Sequence, residues 1–367
     1  MNKLIIIGNG FDLAHKLPTS YTDLILWLVN RVLEEGRKNP NDQTKLKCPI
    51  FEIIRITKDR NWTFKLPDKL IDIDDLIRFK DDGNESYRLK PIGSFGFLIF
   101  YDIKNKRWVD IEKAYYEVLK SMNESRLVIN LNKSLDFIQR ELNKYLSTLI
   151  EPEVINELKK LFEEKFGLVK IDGENSIANQ VYILNFNYTT TVKNYFEGIK
   201  RQDSFYFSEM YCKDNNLIIN CIHGLTNDEG NPIIFGYGDE TDKHYKDLED
   251  KNENCWLDHM KSFSYLKTYN YQHLFEFLDL DKFEVHVMGH SLGISDRLLF
   301  NHIFEHENFE KVQLYFYEWE NEETERMEND FYEKTQNLSR HFKSDAKHKM
   351  RLKVVRFNES QPLPQLK

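Results

Sequence analysis

Apolar and polar residues at the start of the chain follow the pattern of a strand, a turn and a helix. Residues 4–7 are one leucine and three isoleucines, and Gly8-Asn9-Gly10 interrupts this run. Isoleucine favours a strand, and glycine favours a tight turn. Leu24, Leu28 and Val32 then recur at the spacing of one helix face. The opening therefore predicts a strand, a glycine turn and a helix.

The next part of the chain has the spacing of helices. Residues 34–106 are polar and irregular, with turn clusters at residues 39–42 and 81–84. Apolar residues return at helical spacing over residues 110–119, 131–149 and 152–166. We therefore expect an inserted, mainly helical layer.

Short apolar runs alternate with helical segments in the second half of the chain. The runs lie at residues 181–184, 217–222, 233–235, 285–288, 312–316 and 352–355. Such alternation is typical of a mostly parallel sheet with helices on both faces, which the N-terminal strand would complete. We predict an α/β protein with a Rossmann-like domain over residues 1–33 and 177–367. A mainly helical insertion or lid over residues 34–176 interrupts it.

Composition and charge narrow the classes of partner and compartment. Sixty acidic and 51 basic residues give a net charge of −9, the opposite of the field that binds a nucleic-acid backbone. No apolar stretch approaches the ~20 residues that span a bilayer. The four cysteines, at positions 48, 212, 221 and 255, form no C-x-x-C pair. We expect a cytoplasmic protein with reduced thiols, no metal site, no membrane contact and no nucleic-acid partner.

Polar residues and glycines follow five of the predicted strands. Ligands of parallel sheets bind beyond the carboxyl ends of the strands, so these segments are the candidate site. They are Gly8-Asn9-Gly10 with Asp12, Asn185-Phe186-Asn187-Tyr188-Thr189, His223-Gly224, Gly236-Tyr237-Gly238-Asp239 and Gly289-His290-Ser291-Leu292-Gly293.

The first of these segments carries part of a nucleotide-binding signature. Gly8 and Gly10 would let backbone amides approach a phosphate closely, and a helix N-terminus favours negative charge. Leu13 stands where G-x-G-x-x-G has its third glycine, so the ordinary dehydrogenase fingerprint fails. A tight turn without a ligand is the alternative interpretation.

Asn187 and His223 are the candidate catalytic residues. The Asn187 carboxamide can hold a water or ribose hydroxyls, although an asparagine there can also cap a helix starting near Thr190. A neutral His223 can take a proton near pH 7, although a lone histidine is often structural. An amide and an imidazole at two strand ends of one sheet favour the functional interpretation.

The order of these motifs resembles the sirtuins. Gly8-Asn9-Gly10-Phe11-Asp12 with Leu17-Pro18 is similar to their G-A-G-x-S-x-x-x-G-I-P signature. The sirtuin T-x-N, H-G, F-G-E and G-T-S-L motifs have counterparts in Asn185-Phe186-Asn187, His223-Gly224, Phe235-Gly236 and Gly289-His290-Ser291-Leu292. Residues 8–15, 17–21, 186–189 and 289–292 resemble more closely the bacteriophage abortive-infection AbiH family, over nearly the whole chain.

These resemblances imply an antiphage protein that hydrolyses NAD, as its substrate, to ADP-ribose and nicotinamide. Asn187 would hold ribose or the attacking water, and His223 would be the general base. The residues implied to contact NAD are Gly8, Asn9, Gly10, Phe11, Asp12, Pro18, Tyr188, Gly224, Gly289, His290, Ser291, Leu292 and Asp296. The zinc module of protein-deacylating sirtuins has no counterpart, which favours NAD hydrolysis over lysine deacylation.

The chain departs from the sirtuin pattern at Asp12, which replaces a serine. A carboxylate beside a pyrophosphate would be repelled unless it faced ribose hydroxyls or a metal. A phage-derived trigger, a partner protein and self-association are further expectations for such a defence protein.

Two other functions fit parts of the sequence. Residues 289–293 match the G-x-S-x-G elbow of serine esterases, with Ser291 as nucleophile and His341 or His348 as base. Alternatively, the pocket binds a nucleotide without cleaving it, and the insertion passes the signal to a partner.

Two acidic residues have alternative duties. Trp108-Val109-Asp110-Ile111-Glu112 opens a predicted helix. Acids in a first helical turn usually complement the helix dipole or cap the helix, but this segment could also contribute to the site as a lid. Ser295 and Asp296 precede a helical pattern, which favours helix capping.

Overall fold

The computed structural model describes residues 1–56, 65–84, 86–105, 108–165, 167–171, 174–196, 217–240, 242–321, 324–343 and 346–366. The strands are β1 (Asn2–Ile7), β2 (Phe51–Arg55), β3 (Tyr87–Pro91), β4 (Leu168–Ile171), β5 (Glu174–Ile177), β6 (Val181–Asn185), β7 (Leu217–Cys221), β8 (Phe283–Met288), β9 (Phe309–Tyr315), β10 (Glu318–Asn321) and β11 (Arg326–Asn329).

Helices connect and cover these strands. The α-helices are α1 (Asn9–Ala14), α2 (Tyr21–Lys38), α3 (Ile73–Asp81), α4 (Gly93–Phe100), α5 (Trp108–Lys120), α6 (Ser125–Leu146), α7 (Asn156–Lys165), α8 (Tyr245–Glu249), α9 (Lys261–Ser264), α10 (Asn270–Leu280), α11 (Arg297–Glu305), α12 (Phe331–Ser339) and α13 (Lys347–Lys353). Short 3₁₀ turns lie at Gln43–Leu46, Ile103–Asn105, Thr191–Tyr195, Asn254–Trp256, Tyr265–Lys267, Ile294–Asp296 and Phe357–Glu359.

A five-stranded parallel sheet forms the centre of the fold, in the order β7-β6-β1-β8-β9. The register aligns the strand ends, because Ile7 pairs with both Asn185 and Met288. Cys221 pairs with Asn185, and Tyr315 pairs with Met288. The segments that follow all five strands therefore begin at the same edge. The predicted Rossmann-like, mostly parallel α/β sheet is confirmed.

Both faces of this sheet are buried, as its apolar strands require. Alternate side chains of a strand point to opposite faces, so Leu4 and Ile6 pack in one core and Ile5 and Ile7 in another. Residues of α10 and α11 cover the first face, and residues of α1 and α7 contribute to the second core.

A helical layer with its own large core lies over one end of the sheet. Residues of α2, α5 and α6 form this core together with the β2–β3 hairpin and buried residues from 233–260. The predicted helical patterns at residues 110–119, 131–149 and 152–166 correspond to α5, α6 and α7. Residues 34–106, which lacked a clear pattern, contain β2, β3, α3 and α4. The domain boundaries at residues 33/34 and 176/177 stay a prediction.

Two of the predicted strands are wrong. Residues 233–235 form an extended segment outside the sheet, and their side chains are apolar because all three are buried in the cores. Residues 352–355 include the end of α13, and only Val354 makes a bridge, to Val312. In both segments apolar side chains are buried although the backbone does not pair as a strand, so a short apolar run alone does not identify a strand.

The loops after β1 and β8 touch through their backbones. A Cβ at Gly8 would lie 2.6 Å from Cα of His290, and one at Gly10 would lie 2.8 Å from the carbonyl oxygen of Gly289. A Cβ at Gly289 would lie 2.1 Å from the amide nitrogen of Phe11. Only glycine permits this approach, because any side chain at these positions would overlap the opposite backbone.

We predict that Gly289→Ala lowers the free energy of unfolding by about 2–5 kcal/mol, combining left-handed strain with overpacking. Gly93→Ala is the matched control, because Gly93 has a similar φ of +66° but no atom within 4 Å of its Cβ position. We expect about 1–2 kcal/mol for the control. Denaturant unfolding measures both losses, and equal losses would show that the loop contact is not tight.

Candidate functional site

A cavity of about 590 Å³ opens at the carboxyl edge of the sheet. The chain builds β1, β6 and β7 toward one side and then returns to place β8 and β9 on the other side of β1. The strand order thus reverses between β1 and β8. Residues of the segments after both strands line the cavity, which is where doubly wound sheets bind ligands.

The glycine amides at this reversal point are already hydrogen-bonded. The Gly8 amide donates to the Met288 carbonyl over 3.0 Å, and the Gly10 amide donates to the Gly289 carbonyl over 2.7 Å. These two amides are therefore occupied by backbone carbonyls, and the predicted phosphate contact at this turn stays a prediction. The glycines instead let the two loops pack together.

His223 follows β7 and pairs with a carboxylate at the cavity. Its Nε2 lies 3.0 Å from Oδ1 of Asp296 and 3.2 Å from the Tyr265 hydroxyl. An ionised carboxylate only accepts hydrogen bonds, so Nε2 carries the proton of the neutral ring. Nδ1 then has the free lone pair, and no group in the described parts of the chain hydrogen-bonds to it. His223 is thus arranged to accept a proton at Nδ1.

A buried lysine joins Asp296 to a glutamate of the helical layer. Nζ of Lys261 lies 2.8 Å from Oδ1 of Asp296 and 2.9 Å from Oε1 of Glu112. All three side chains are buried. Burial alone would raise the pKa of Asp296, but Lys261 and His223 outweigh it and lower that pKa. Burial raises the pKa of Glu112.

Asn187 lies beside the loop after β1. Its Nδ2 donates to the Gly8 carbonyl over 3.1 Å, and its backbone amide donates to Oδ1 of Asn185. The 3₁₀ turn that follows has Thr190 as its N-cap, so Asn187 does not cap it. Its carboxamide is thereby held at the edge of the cavity.

Asp12 is a buried carboxylate on the cavity wall. The Thr189 hydroxyl donates to its Oδ2 over 2.6 Å, while its Oδ1 has no hydrogen-bond donor within the described ranges. Burial raises the pKa of Asp12 to about 6, against the opposing effects of the Thr189, Thr191 and Asn187 side chains. A buried oxygen without a partner is costly and points to a ligand or a functional role.

The cavity brings together ten of the fifteen predicted site residues. These are Asn9, Gly10, Asp12, Asn187, Tyr188, His223, Gly289, His290, Ser291 and Asp296. Asn187 and His223 therefore face one cavity, as the prediction of a joint site requires. Asp296 is the N-cap residue of α11 but makes no capping hydrogen bond, because its carboxylate is directed to His223 and Lys261.

The other five predicted residues do not line the cavity. Gly8 packs beneath His290, and the Phe11 ring packs with Phe162 and Tyr195. The remaining three shape the backbone nearby. The Pro18 carbonyl accepts from Tyr145, Gly224 has a φ of +83° in a turn, and the Leu292 amide donates to Nδ1 of His290.

Sequence reasoning missed Lys261 and gave Glu112 only an open alternative. Glu112 lines the cavity from α5, so its place agrees with a contribution from the helical layer. Lys261 is isolated between Met260 and Ser262 and follows no apolar strand run, so no local signal marks it.

The described geometry does not support the esterase interpretation. No hydrogen bond links the Ser291 hydroxyl to a histidine in the described parts of the chain. Nε2 of His341 lies 2.9 Å from the Leu292 carbonyl, and His348 is an exposed residue of α13. Positive φ angles fall on Gly289 and Leu292, whereas a nucleophile elbow concentrates strain at its serine.

Metal-binding clusters and membrane-spanning helices are two further classes of feature, and the described ranges contain neither. No group of three or more His, Cys, Asp or Glu side chains is arranged to hold a metal ion there. None of the described helices combines the length and apolar character that crossing a membrane demands. Cys212 and the rest of residues 197–216 lie outside the described ranges.

A family model describing the bacteriophage abortive infection protein AbiH matches residues 4–319. The chain belongs to the AbiH family. Membership makes it a phage abortive-infection defence protein, as the motif resemblance predicted. The match includes all of the five-stranded sheet except the first two residues of β1, and it ends before four residues that line the cavity: Asp330, Lys334, Leu363 and Gln365. Searches of curated proteins and of solved structures gave no match.

We predict that Asp12→Asn stabilises this AbiH-family protein at pH 7.5 by about 2–3 kcal/mol. The pKa of Asp12 is higher in the folded than in the unfolded chain. Its favourable contribution is therefore complete below pH ~4 and is lost as the pH rises through about 6. The advantage of the asparagine should vanish near pH 4.

Asp281→Asn is the control with the opposite sign. The Asp281 carboxylate contacts the N-terminal ammonium at 2.8 Å, so this variant should lose stability at neutral pH. Thermal unfolding at both pH values measures the two effects. A destabilised Asp12→Asn protein at pH 7.5 would contradict the raised pKa of the buried Asp12 carboxyl.

Proposed function

We propose that this AbiH-family protein acts in abortive infection by hydrolysing NAD to nicotinamide and ADP-ribose. One observation carries the proposal: Asn187 and the His223–Asp296 pair line the same cavity at the point where the strand order reverses. This place in a doubly wound sheet suits a dinucleotide. The two side chains suit cleavage of its glycosidic bond.

The reaction breaks the bond between C1′ of the ribose and the nicotinamide nitrogen. The electron pair of that bond goes to the pyridine ring, and C1′ develops oxocarbenium character. A water oxygen then bonds to C1′, and its proton passes to Nδ1 of His223 and from there to solvent. Asn187 would orient the ribose or the water and so lower the entropic part of the barrier. Asp296 would stabilise the imidazolium.

The charges of the cavity suit the nicotinamide end of the substrate. Asp12, Glu112, Asp296 and Asp330 place carboxylates on the wall, and the one lysine in the described lining, Lys334, contacts Asp330. A carboxylate-rich wall favours the cationic nicotinamide ring. Neutral donors such as Asn9 and Ser291 are left to bind the phosphates.

Abortive infection requires that such an activity be controlled, because unregulated NAD loss would kill an uninfected host. A phage-derived trigger or a partner protein would supply that control, and self-association is a further route. The helical layer, which contributes Glu112 to the cavity wall, is the part of the fold best placed to receive such a signal.

The test follows nicotinamide release from NAD by the purified full chain, with and without lysate of phage-infected cells. We expect release by the wild type. His223→Gln and Asn187→Ala should each lower the rate by about 10²–10⁴, the usual contribution of a positioned acid–base or orienting group. His302→Gln, on the exposed His302 of α11, is the histidine control and should keep the wild-type rate.

A second outcome separates an enzyme from a sensor. Saturable NAD binding with no nicotinamide release under any condition would contradict hydrolysis and support a nucleotide sensor. Equal rates for His223→Gln and His302→Gln would show that His223 is not the base.

The esterase alternative has its own measurement. We predict no labelling of Ser291 by a fluorophosphonate probe, because its hydroxyl has no described base. Labelling of the wild type that is lost in Ser291→Ala would overturn this ranking of the two functions.

A further inference from the structure

We propose that Glu112 and Lys261 are positioning residues for the His223 base, through which the helical layer controls the state of the catalytic centre. The inference rests on the proposed function, because it assigns a role within the same site. It is carried by a continuous buried contact chain from α5 to the imidazole.

The contacts lead from Glu112 to Lys261, from Lys261 to Asp296 and from Asp296 to His223. Both carboxylate oxygens of Glu112 lie within 3.0 Å of Nζ of Lys261. The same ammonium contacts Oδ1 of Asp296, and that oxygen also faces Nε2 of His223. Moving Glu112 would therefore release Lys261, and Asp296 would then lose one of the two groups that hold Oδ1.

The charges of the cluster explain why it needs a second carboxylate. Lys261 and Asp296 alone are neutral, so a proton on His223 would leave one uncompensated buried positive charge. Such a charge is expensive in a buried site. Glu112 supplies the opposite charge, so the imidazolium that forms when His223 takes a proton completes a neutral cluster of four groups.

The charge balance at His223 includes titratable and charged side chains from each of the elements packed around it. They are Glu112 from α5, Lys261 from α9, Tyr265 from the adjoining 3₁₀ turn, Asp296 from the turn before α11, Tyr188 after β6 and His290 after β8. Burial lowers the pKa of His290 to about 3 and raises that of Tyr188, so both are neutral near pH 7. Glu112, Lys261 and Asp296 therefore set the local charge.

Glu112 also has a fixed place in the fold. Its Oε1 accepts the backbone amide of Gly236, in the segment that leads from His223 toward Lys261. Glu112 comes from the helical layer, whereas His223 and Asp296 follow strands of the parallel sheet. The contact is thus a link between two parts of the chain that have separate hydrophobic cores.

The experiment measures the protonation of His223 directly and the turnover of NAD in parallel. Histidine-labelled full-length protein is titrated by NMR, and the His223 signal is assigned by its loss in His223→Gln. In Glu112→Gln we expect the His223 midpoint and the acidic limb of the rate profile to move down by about one pH unit. The kcat should fall about tenfold, and KM should stay near the wild-type value.

Three further variants complete the design. Glu112→Asp keeps the charge and should restore most of the shift. Lys261→Met should move the His223 midpoint up if the variant folds. Glu141→Gln is the matched control, because Glu141 of α6 is a buried carboxylate that contacts Arg31 and Lys144 without lining the cavity. It should move neither the midpoint nor the profile.

The results separate this inference from the proposed function. An unmoved His223 midpoint in Glu112→Gln would overturn the inference while NAD cleavage by the wild type stood. A raised KM without a midpoint shift would show that Glu112 only touches substrate, and would also overturn it. Absence of nicotinamide release by the wild type would refute the function, and the NMR midpoints would still decide whether Glu112 controls His223.

Discussion

The close approach of the loops after β1 and β8 is the constraint on which the site depends. Glycines at positions 8, 10 and 289 let the two backbones touch, and the Gly10 amide bonds directly to the Gly289 carbonyl. This contact lies where the strand order reverses, and Gly10 and Gly289 form part of the cavity lining. These three glycines therefore act in this structure by letting the two loop backbones pack together.

Side chains distant in the sequence meet in this cavity because the parallel register aligns the strand ends. His223 follows β7 and Asn187 follows β6, whereas Glu112 lies on α5. Burying Lys261 with two carboxylates and an imidazole has a desolvation cost, and well-packed apolar residues of similar volume are often at least as stable as such a buried cluster. Such an arrangement is typical of a functional site, where stability is given up for reactivity.

The sequence could predict those site residues that directly follow a strand. A buried run such as residues 181–184 marks a strand, and the polar residue after it, Asn187, faces the ligand edge by topology alone. Residues 233–235 show the limit, because burial in a core produces the same apolar run without strand pairing. Lys261 and Glu112 could not be predicted as partners, since their contact joins separate elements and depends on tertiary packing.

A crystal structure of the His223→Gln protein with NAD tests the central claim most directly, because the base is absent and the substrate can persist. The account predicts the dinucleotide across the reversal point between β1 and β8. The nicotinamide ribose should contact Asn187, with its C1′ facing the position of the missing imidazole. NAD bound elsewhere, or with its adenine end beside Asn187 and residue 223, would contradict it.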